Sequence, residues 1–474
     1  MKKGTLLSVI VILLTGYWWS TMLSGCANIV PPSGGPRDSI PPRLVKATPG
    51  DSTVNFRSGR ITLEFDEYVD LKDLPNNVLF TPTFDVNPEI SVRARTVTVK
   101  FQENSLDPNT TYVLNFGNAI VDMNESNPLR NFDYSFSTGT SLDSLEISGR
   151  VLLAETGGVD STLTMVLHRD LSDSAIQKKR APYLVKLDNQ GYFRFRYLPS
   201  DTFAIYALGD ANNLGRRYQN KTQLFAFYNT PVIAGRADSL LLYAYRDSTP
   251  ATPAGPAVTP ATGGRNAVSA DRRLKFTTPT GNLDLKENYV INFPVPLRTL
   301  DTARMKLSSD SLYTPIPFTA RLDSSRRLLS IGTAWTPATR YNLELDRDFA
   351  FDTSGRQLLK TDTLFFETKS LADYGNISLR IRNLDTARNP VLLFVQNGSV
   401  VNSAPIRSGF FSQSLFIPGE YELRILFDTN GNGKWDPGTF FGTKRQPELV
   451  VPISQGITVK PNWDNEFERI FQSR

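Results

Sequence analysis

The chain reads as an all-β protein built of tandem β-sandwiches, and three observations predict it. Short runs alternating apolar with polar residues, bounded by Pro, Gly, Asn and Asp, recur along its 474 residues, as half-buried strands do. No amphipathic helix longer than a few turns can be drawn. The runs also return in the same order in a second half, the mark of an internal duplication.

The first strands are Ile61-Thr62-Leu63-Glu64-Phe65, Val97-Thr98-Val99-Lys100-Phe101, Tyr112-Val113-Leu114-Asn115-Phe116 and Phe132-Asp133-Tyr134-Ser135-Phe136. Each places residues i, i+2 and i+4 on one side, which a helix of period 3.6 cannot do. This set returns later. Tyr289-Val290-Ile291-Asn292-Phe293 repeats the phase of Ile61–Phe65, and Trp335-Thr336-Pro337-Ala338-Thr339-Arg340-Tyr341 repeats Leu106-Asp107-Pro108-Asn109-Thr110-Thr111-Tyr112. Ser135-Phe136-Ser137-Thr138 comes back as Phe365-Phe366-Glu367-Thr368. Each copy spans about 95 residues, the size of one sandwich.

A different unit follows each copy. Leu145-Glu146-Ile147-Ser148-Gly149-Arg150-Val151 corresponds to Gly375-Asn376-Ile377-Ser378-Leu379-Arg380-Ile381, and Gly191-Tyr192-Phe193 to Gly409-Phe410-Phe411. Phe203–Asp210 corresponds to Tyr421–Asp428. The order is A-B-A-B, with expected boundaries 43–140, 141–247, 272–370 and 371–474. Between the halves, 248–271 is a Pro/Ala/Thr-rich linker that cannot bury a core, and 26–42 is a proline-stiffened tether.

Residues 1–25 read as an export signal: Met1-Lys2-Lys3, an aliphatic run from Leu6 to Leu14, then Leu23-Ser24-Gly25 before Cys26, the only cysteine. This resembles the lipobox of bacterial lipoproteins, which implies acylation of the Cys26 sulfur and a mature chain starting there. The alternatives are an uncleaved anchor over Gly4–Leu23 and an ordinary buried thiol. One cysteine excludes an internal disulfide. One histidine, His168, excludes Ser-His-Asp and Cys-His nucleophile systems and His-rich metal sites. Against 52 Lys and Arg stand 47 Asp and Glu, read as interspersed, with no arginine-rich stripe; nucleic acid is therefore not an expected partner.

The sharpest local motif is Asp428-Thr429-Asn430-Gly431-Asn432-Gly433-Lys434-Trp435-Asp436. Oxygen donors at Asp428, Asn430, Asn432 and Asp436, the Lys434 carbonyl and a glycine at position 6 follow a calcium loop. Thr439 stands where a bidentate glutamate belongs, and the first copy decays to Asp210-Ala211-Asn212-Asn213-Leu214-Gly215. A polar hairpin turn is the alternative. Asp66, Glu67 and Asp70 crowd one strand end and are read as edge charges rather than a glycosidase pair. Trp335, Trp435 and Trp463 are read as separate core plugs rather than a sugar platform.

The Ile61/Leu63/Phe65/Glu67 pattern, Leu106-x-Pro-x-Thr-x-Tyr112 and the Phe-x-Thr ending at Thr138 resemble the bacterial Ig-like domain of the SbsA type. The tether Pro31-Pro32-Ser33-Gly34-Gly35-Pro36 through Pro41-Pro42 resembles the start of Bacteroidetes lipoproteins that carry it. The second copy has Val295-Pro296 in place of Asp66-Glu67-Tyr68. The 141–247 and 371–474 units, with Gly-x-Phe and Leu-Pro motifs, are similar to prealbumin-like or carboxypeptidase-regulatory sandwiches. The resemblance implies fold and location more than activity.

The expected protein is non-enzymatic: a structural or binding module of the cell envelope, with no catalytic residue and no required cofactor. Ca²⁺ at 428–436 is the one cofactor expectation. Its partners are the membrane, through the lipid, and an envelope protein or glycan, which would make it an adhesin. A carboxylate hydrolase is the more distant alternative. The outer membrane is favoured, on either face, because Ala27 follows the lipid cysteine rather than an aspartate. In tandem, the sandwiches are expected to stack in sequence order as a stiff rod.

Overall fold

A computed structural model describes residues 38–209, 217–219, 222–236, 238–247 and 273–472, with Leu13 and Thr15. Cys26, most of the tether, the 248–271 linker and the Asp210–Gly215 loop lie outside the described residues. The chain divides into two compact units at Asp143/Ser144.

The first unit is one sandwich. One sheet orders Leu44–Thr48, Arg60–Phe65, Thr96–Lys100 and Glu89–Arg93; the other orders Leu79–Thr81, Thr111–Asn115 and Asp133–Ser137. Val69–Leu71 pairs with Ile120–Asp122 as a separate ribbon. The alternation read in the sequence puts Ile61, Leu63, Phe65, Val97, Val99, Tyr112, Leu114 and Phe136 into one core. Each such side chain contributes about 1.5–3 kcal/mol on burial, so this stack, rather than any polar contact, holds the sheets together.

The second unit repeats that plan. Tyr289–Asn292, Leu328–Gly332 and Thr319–Leu322 form one sheet, Met305–Ser308, Arg340–Leu345 and Asp362–Glu367 another, and Leu297–Leu300 pairs with Ala350–Asp352. The duplication reaches single hydrogen bonds. The Tyr112 hydroxyl accepts from Asp107 N–H (2.8 Å), and that of Tyr341 from Thr336 N–H (2.9 Å). Thr138 Oγ1 donates to Asp107 O (2.7 Å) and accepts from Thr110 N–H; Thr368 Oγ1 does the same with Thr336 O (2.6 Å) and Thr339 N–H. These polar ties fix where the strand starts, which no apolar face can do by itself.

The two remaining sandwiches, both in the second unit, share one topology. In the earlier one, Tyr192–Leu198, Leu145–Leu153 and Leu240–Ala244 face Tyr183–Lys186, Leu163–His168, Thr202–Gly209 and Phe225–Phe227. In the later one, Phe410–Phe416, Gly375–Arg382 and Asp464–Ile470 face Ser399–Pro405, Pro390–Gln396, Gly419–Phe427 and Leu449–Pro452. Both hold a parallel edge strand, and both have a bulge at the start of the central strand. Gly191 (φ 82°) and Gly409 (φ 69°) turn the same corner, each accepting from the central strand, Val151 N–H or Ile381 N–H. A Cβ there would fall 2.6 Å from Val151 O or 2.8 Å from Ile381 O, so the shared glycine is a steric requirement.

Two expectations need revision. The charges are not evenly mixed: residues 38–143 carry 9 Lys and Arg against 15 Asp and Glu, whereas 144–474 carry 40 against 32. Within the second unit, moreover, contact is not confined to sequence neighbours. Val450 N–H donates to Ala154 O (2.8 Å), joining the second and fourth sandwiches. A pure stack in chain order would leave those two apart.

Candidate functional site

The residues that join them begin at the loop singled out in the sequence. Asp428, at the end of strand Gly419–Phe427, is buried, and its carboxylate accepts from Gly431, Asn432 and Gly433 N–H. Gly431 and Gly433 sit at φ 76° and 74°, which lets successive N–H groups turn inward. Asn430 and Asn432 amides both donate to Asp436 Oδ2, and Asn432 Oδ1 accepts from Lys434 N–H at 2.7 Å. The five candidate residues Asp428, Asn430, Asn432, Lys434 and Asp436 therefore do converge on one loop.

Sequence reasoning missed a sixth. Glu448 is buried and accepts from Thr429 N–H (2.7 Å), Thr429 Oγ1 (2.6 Å) and Asp436 N–H (3.1 Å). Its own backbone N–H bonds Asp436 O, and its carbonyl accepts from Trp435 Nε1 (2.8 Å). A lone acid opening the apolar run Leu449-Val450-Val451 was the available signal. Neither Asp428 nor Glu448 has a Lys or Arg partner among the described residues. Among those residues, too, no group of three or more His, Cys, Asp or Glu side chains is arranged to hold a metal.

Glu448 and Asp436 pin together the two ends of a strap, residues 437–447, whose own ends are tied by reciprocal Thr439–Arg445 backbone bonds of 2.8 Å. The strap crosses to the second sandwich. Phe440, 4% exposed, enters an aromatic cage with ring centroids 5.6 Å from Tyr206, 5.2 Å from Phe225 and 4.9 Å from Phe227. Phe441 lies 5.4 Å from Tyr218. Gln446 Nε2 donates to Phe227 O (3.1 Å) and Asn229 Oδ1 (2.8 Å), and Lys444 pairs with Asp173 at 2.6 Å. Gly438 leaves room for Tyr245, whose ring carbon would be 2.7 Å from a Cβ. The loop is the root of a docking arm.

Behind the cage sits His168, buried, its ring 6.1 Å from Tyr206 and its Nε2 without a hydrogen-bond partner. Burial brings its pKa down to about 4; Asp170 opposes this, and Lys179, paired with Asp170 at 2.6 Å, adds to it. The unfolded imidazole takes a proton near pH 6.5. The folded value is lower, so the stability linked to neutral His168 is complete above pH 6.5 and lost as pH falls through about 4. Up to about 3 kcal/mol is at stake. A His168→Leu variant should flatten the fall in urea-unfolding stability between pH 6.5 and 4.

The other candidates do not assemble into sites. Asp66 accepts from Arg43 N–H (2.8 Å) and Asp70 from Leu71 N–H (2.8 Å). The Glu67 carboxyl is pushed up by burial and by the charges of Asp122, Asp66, Asp38 and Glu125. Burial acts the same way on Asp122, but N–H donors from Asn127, Glu125 and Ser126 outweigh it and hold its pKa low. Asp122 thus closes its own turn. Trp335 packs in the third core with Nε1 on Glu287 O, Trp435 packs beside Val391, Leu393 and Val450, and Trp463 is exposed beneath Lys460. They share no platform. No helix among the described residues is long and apolar enough to cross a membrane.

No curated protein matches the chain in sequence. Solved structures with some likeness include the Bacillus anthracis TIE protein, at 10% identity over 94% of this chain and 76% of that one, TM-score 0.16. BcpA, the major pilin subunit of Bacillus cereus, shows 9% identity over 69% and 99%, TM-score 0.16. The S-layer protein SbsC shows 11% over 91% and 54%, also at 0.16, so the chain spans about half the length of that protein. Residues 38–138, the first sandwich, match the family model of the bacterial Ig-like domain, which fits a structural or surface module.

Proposed function

We propose that the protein is a non-enzymatic structural or binding module of the cell envelope, held to a membrane by an acyl chain on Cys26, in the outer membrane by preference. The observation that carries this reading is the seat of Phe440. A strap pinned at Asp436 and Glu448 spends its only buried aromatic on locking two duplicated sandwiches together. That is a device for holding geometry, and the loops it uses are the ones where chemistry would otherwise sit. An envelope protein or glycan is the partner class such a body would present itself to. Cys26→Ser tests the tether: the variant should move from the membrane pellet to the soluble export fraction and lose palmitate labelling. A variant that matures normally and stays in the pellet contradicts the reading.

A second reading concerns Ca²⁺ at the loop root. Two buried carboxylates without a cationic side chain are costly, and backbone N–H groups offset only part of that cost. A hard divalent ion would draw on the loop's own donors, Asp428, Asn430, Asn432, the Lys434 carbonyl and Asp436, and would require the Asn430 and Asn432 amides, which now donate to Asp436, to turn their oxygens inward. Calorimetric titration of the intact chain should then show Ca²⁺ uptake, with about 2.7 kcal/mol of stabilisation at a hundredfold excess over Kd. Asp428→Asn should abolish both. Absence of heat and of a thermal shift in millimolar Ca²⁺ leaves the hairpin alternative.

A further inference from the structure

The three-stranded sheet of the second sandwich, Tyr192–Leu198, Leu145–Leu153 and Leu240–Ala244, has an outer face that the core does not use. On it Arg194 stands opposite Ser148 and Tyr192 opposite Arg150, with Glu146 and Arg196 beyond, beside the bulge. Ser144, Glu146, Arg194, Arg196 and Tyr197 line a cleft there of about 290 Å³. Glu146 Oε2 accepts from Arg194 Nε (2.9 Å) and Nη2 (2.6 Å), which fixes that guanidinium and leaves Nη1 over. Arg196 is exposed and pairs with no acid among the described residues. Farther along the strand, Arg150 Nε donates to Gln190 O (2.9 Å). Its guanidinium lies 5.0 Å over the Tyr192 ring, which stays 46% exposed.

The internal duplication separates what the fold needs from what this face adds. Tyr192, Arg194 and Arg196 correspond to Phe410, Ser412 and Ser414 in the fourth sandwich. That strand has the same bulge and the same left-handed residue, Leu415 (φ 52°) for Tyr197 (φ 55°), so the topology forms without either arginine. The charge balance differs as well. The three strands of the fourth-sandwich sheet hold Arg380, Arg382 and Arg469 against Asp464, Glu466 and Glu468. Arg380 lies opposite Glu468, and Arg382 is bonded to it. The same strands of the second sandwich hold Arg150, Arg194 and Arg196 against Glu146 alone, and the residue opposite Arg150 on the parallel strand is Leu241. Arg194 and Arg196 share one strand face at a spacing of about 7 Å, so they repel until an anion joins them.

We propose that this face binds an acidic glycan, with the carboxylate of a uronate-type sugar seated in the cleft between Arg196 and Nη1 of Arg194. A guanidinium offers a planar fork that fits a carboxylate, and Arg196 has its whole fork free for it. Tyr192, roughly 13 Å along the same strand face, receives the apolar side of a sugar farther along the glycan. That separation calls for an oligosaccharide. An acidic peptide would meet the arginines but bring no sugar face to Tyr192, and a lone phosphate would use the cleft only. The site narrows the glycan arm of the function proposed above and rests on that reading for its location. Fractionation of Cys26→Ser tests the location, and binding in solution tests the site, so either can fail without the other.

Isothermal titration of the full chain in detergent micelles with trigalacturonate should show sub-millimolar binding that weakens with added salt. Arg196→Gln should weaken it at least about tenfold, and Arg196→Lys nearly as much because the fork is lost. Tyr192→Ala should weaken it about fivefold. Arg380→Gln, on the balanced face of the fourth sandwich, should leave it unchanged. Arg196 is exposed and unpaired, so its variants should melt with the wild type. No heat with trigalacturonate at about 10 mM, or an Arg196→Gln variant that binds like the wild type, overturns the proposal. So does binding of neutral maltotriose, hexaglutamate or inorganic phosphate as tight as that of trigalacturonate.

Discussion

Phe440→Ala is expected to separate the unfolding of the second and fourth sandwiches. The ring is 4% exposed, and truncating a buried phenylalanine costs about 3–5 kcal/mol, the lost transfer energy plus the cavity left among Tyr206, Phe225 and Phe227. The polar contacts cannot make up for it. Lys444 and Asp173 are 39% and 47% exposed, and such pairs contribute less than about 1 kcal/mol. The two Gln446 hydrogen bonds add about 1 kcal/mol each. In scanning calorimetry the wild-type pair should melt together. In the variant the second sandwich should melt on the order of 10 °C lower, while Lys444→Ala should leave the trace nearly unchanged. An unaltered Phe440→Ala profile would mean that the strap only decorates the surface.

Gly149→Ala is the other large effect. An added Cβ would lie 2.2 Å from Leu240 O and 2.8 Å from Phe193 Cζ. The first contact is backbone of the parallel strand that pairs Gly149 with Leu240, so it cannot be relieved by a rotamer change. Relief requires that strand Leu240–Ala244 move, and Tyr245 at its end belongs to the cage wall. Overpacking of this kind costs about 3 kcal/mol or more. In the fourth sandwich the same position is Leu379, paired between Phe411 and Phe467, so the shared topology does not itself demand glycine; the close carbonyl of Leu240 does. Urea unfolding of Gly149→Ala with Phe193→Leu, which removes the ring but not the carbonyl, should show no rescue. A loss below 1 kcal/mol in the single variant would contradict the argument.

Strands were legible because their information is local. Ile61–Phe65 and Val97–Phe101 state their buried face by alternation alone, and Tyr112 with Thr138 recurs as Tyr341 with Thr368 because each pair closes its own turn. The Asp428–Asp436 loop was found for the same reason. Glu448 was not, since it lies twelve residues past Asp436 and reaches the loop only once strand Leu449–Pro452 is laid down. Phe440 and Phe441, two aromatics in a glycine-flanked loop with no alternating partner, carry no local sign of what buries them. What buries them is a cage more than 190 residues earlier in the chain, beyond the reach of any local pattern. The charge imbalance between residues 38–143 and the rest was countable from the sequence, but it acquires meaning only when the boundary at Asp143 is known.

Amide hydrogen exchange on the intact chain probes the interlock without altering it. Thr439 and Arg445, bonded to each other across the strap, should exchange as slowly as Phe225 and Ala226 in the cage strand, with one shared opening free energy. Strap amides that exchange within seconds while the cage strand stays protected would show that the two sandwiches are not held as one body.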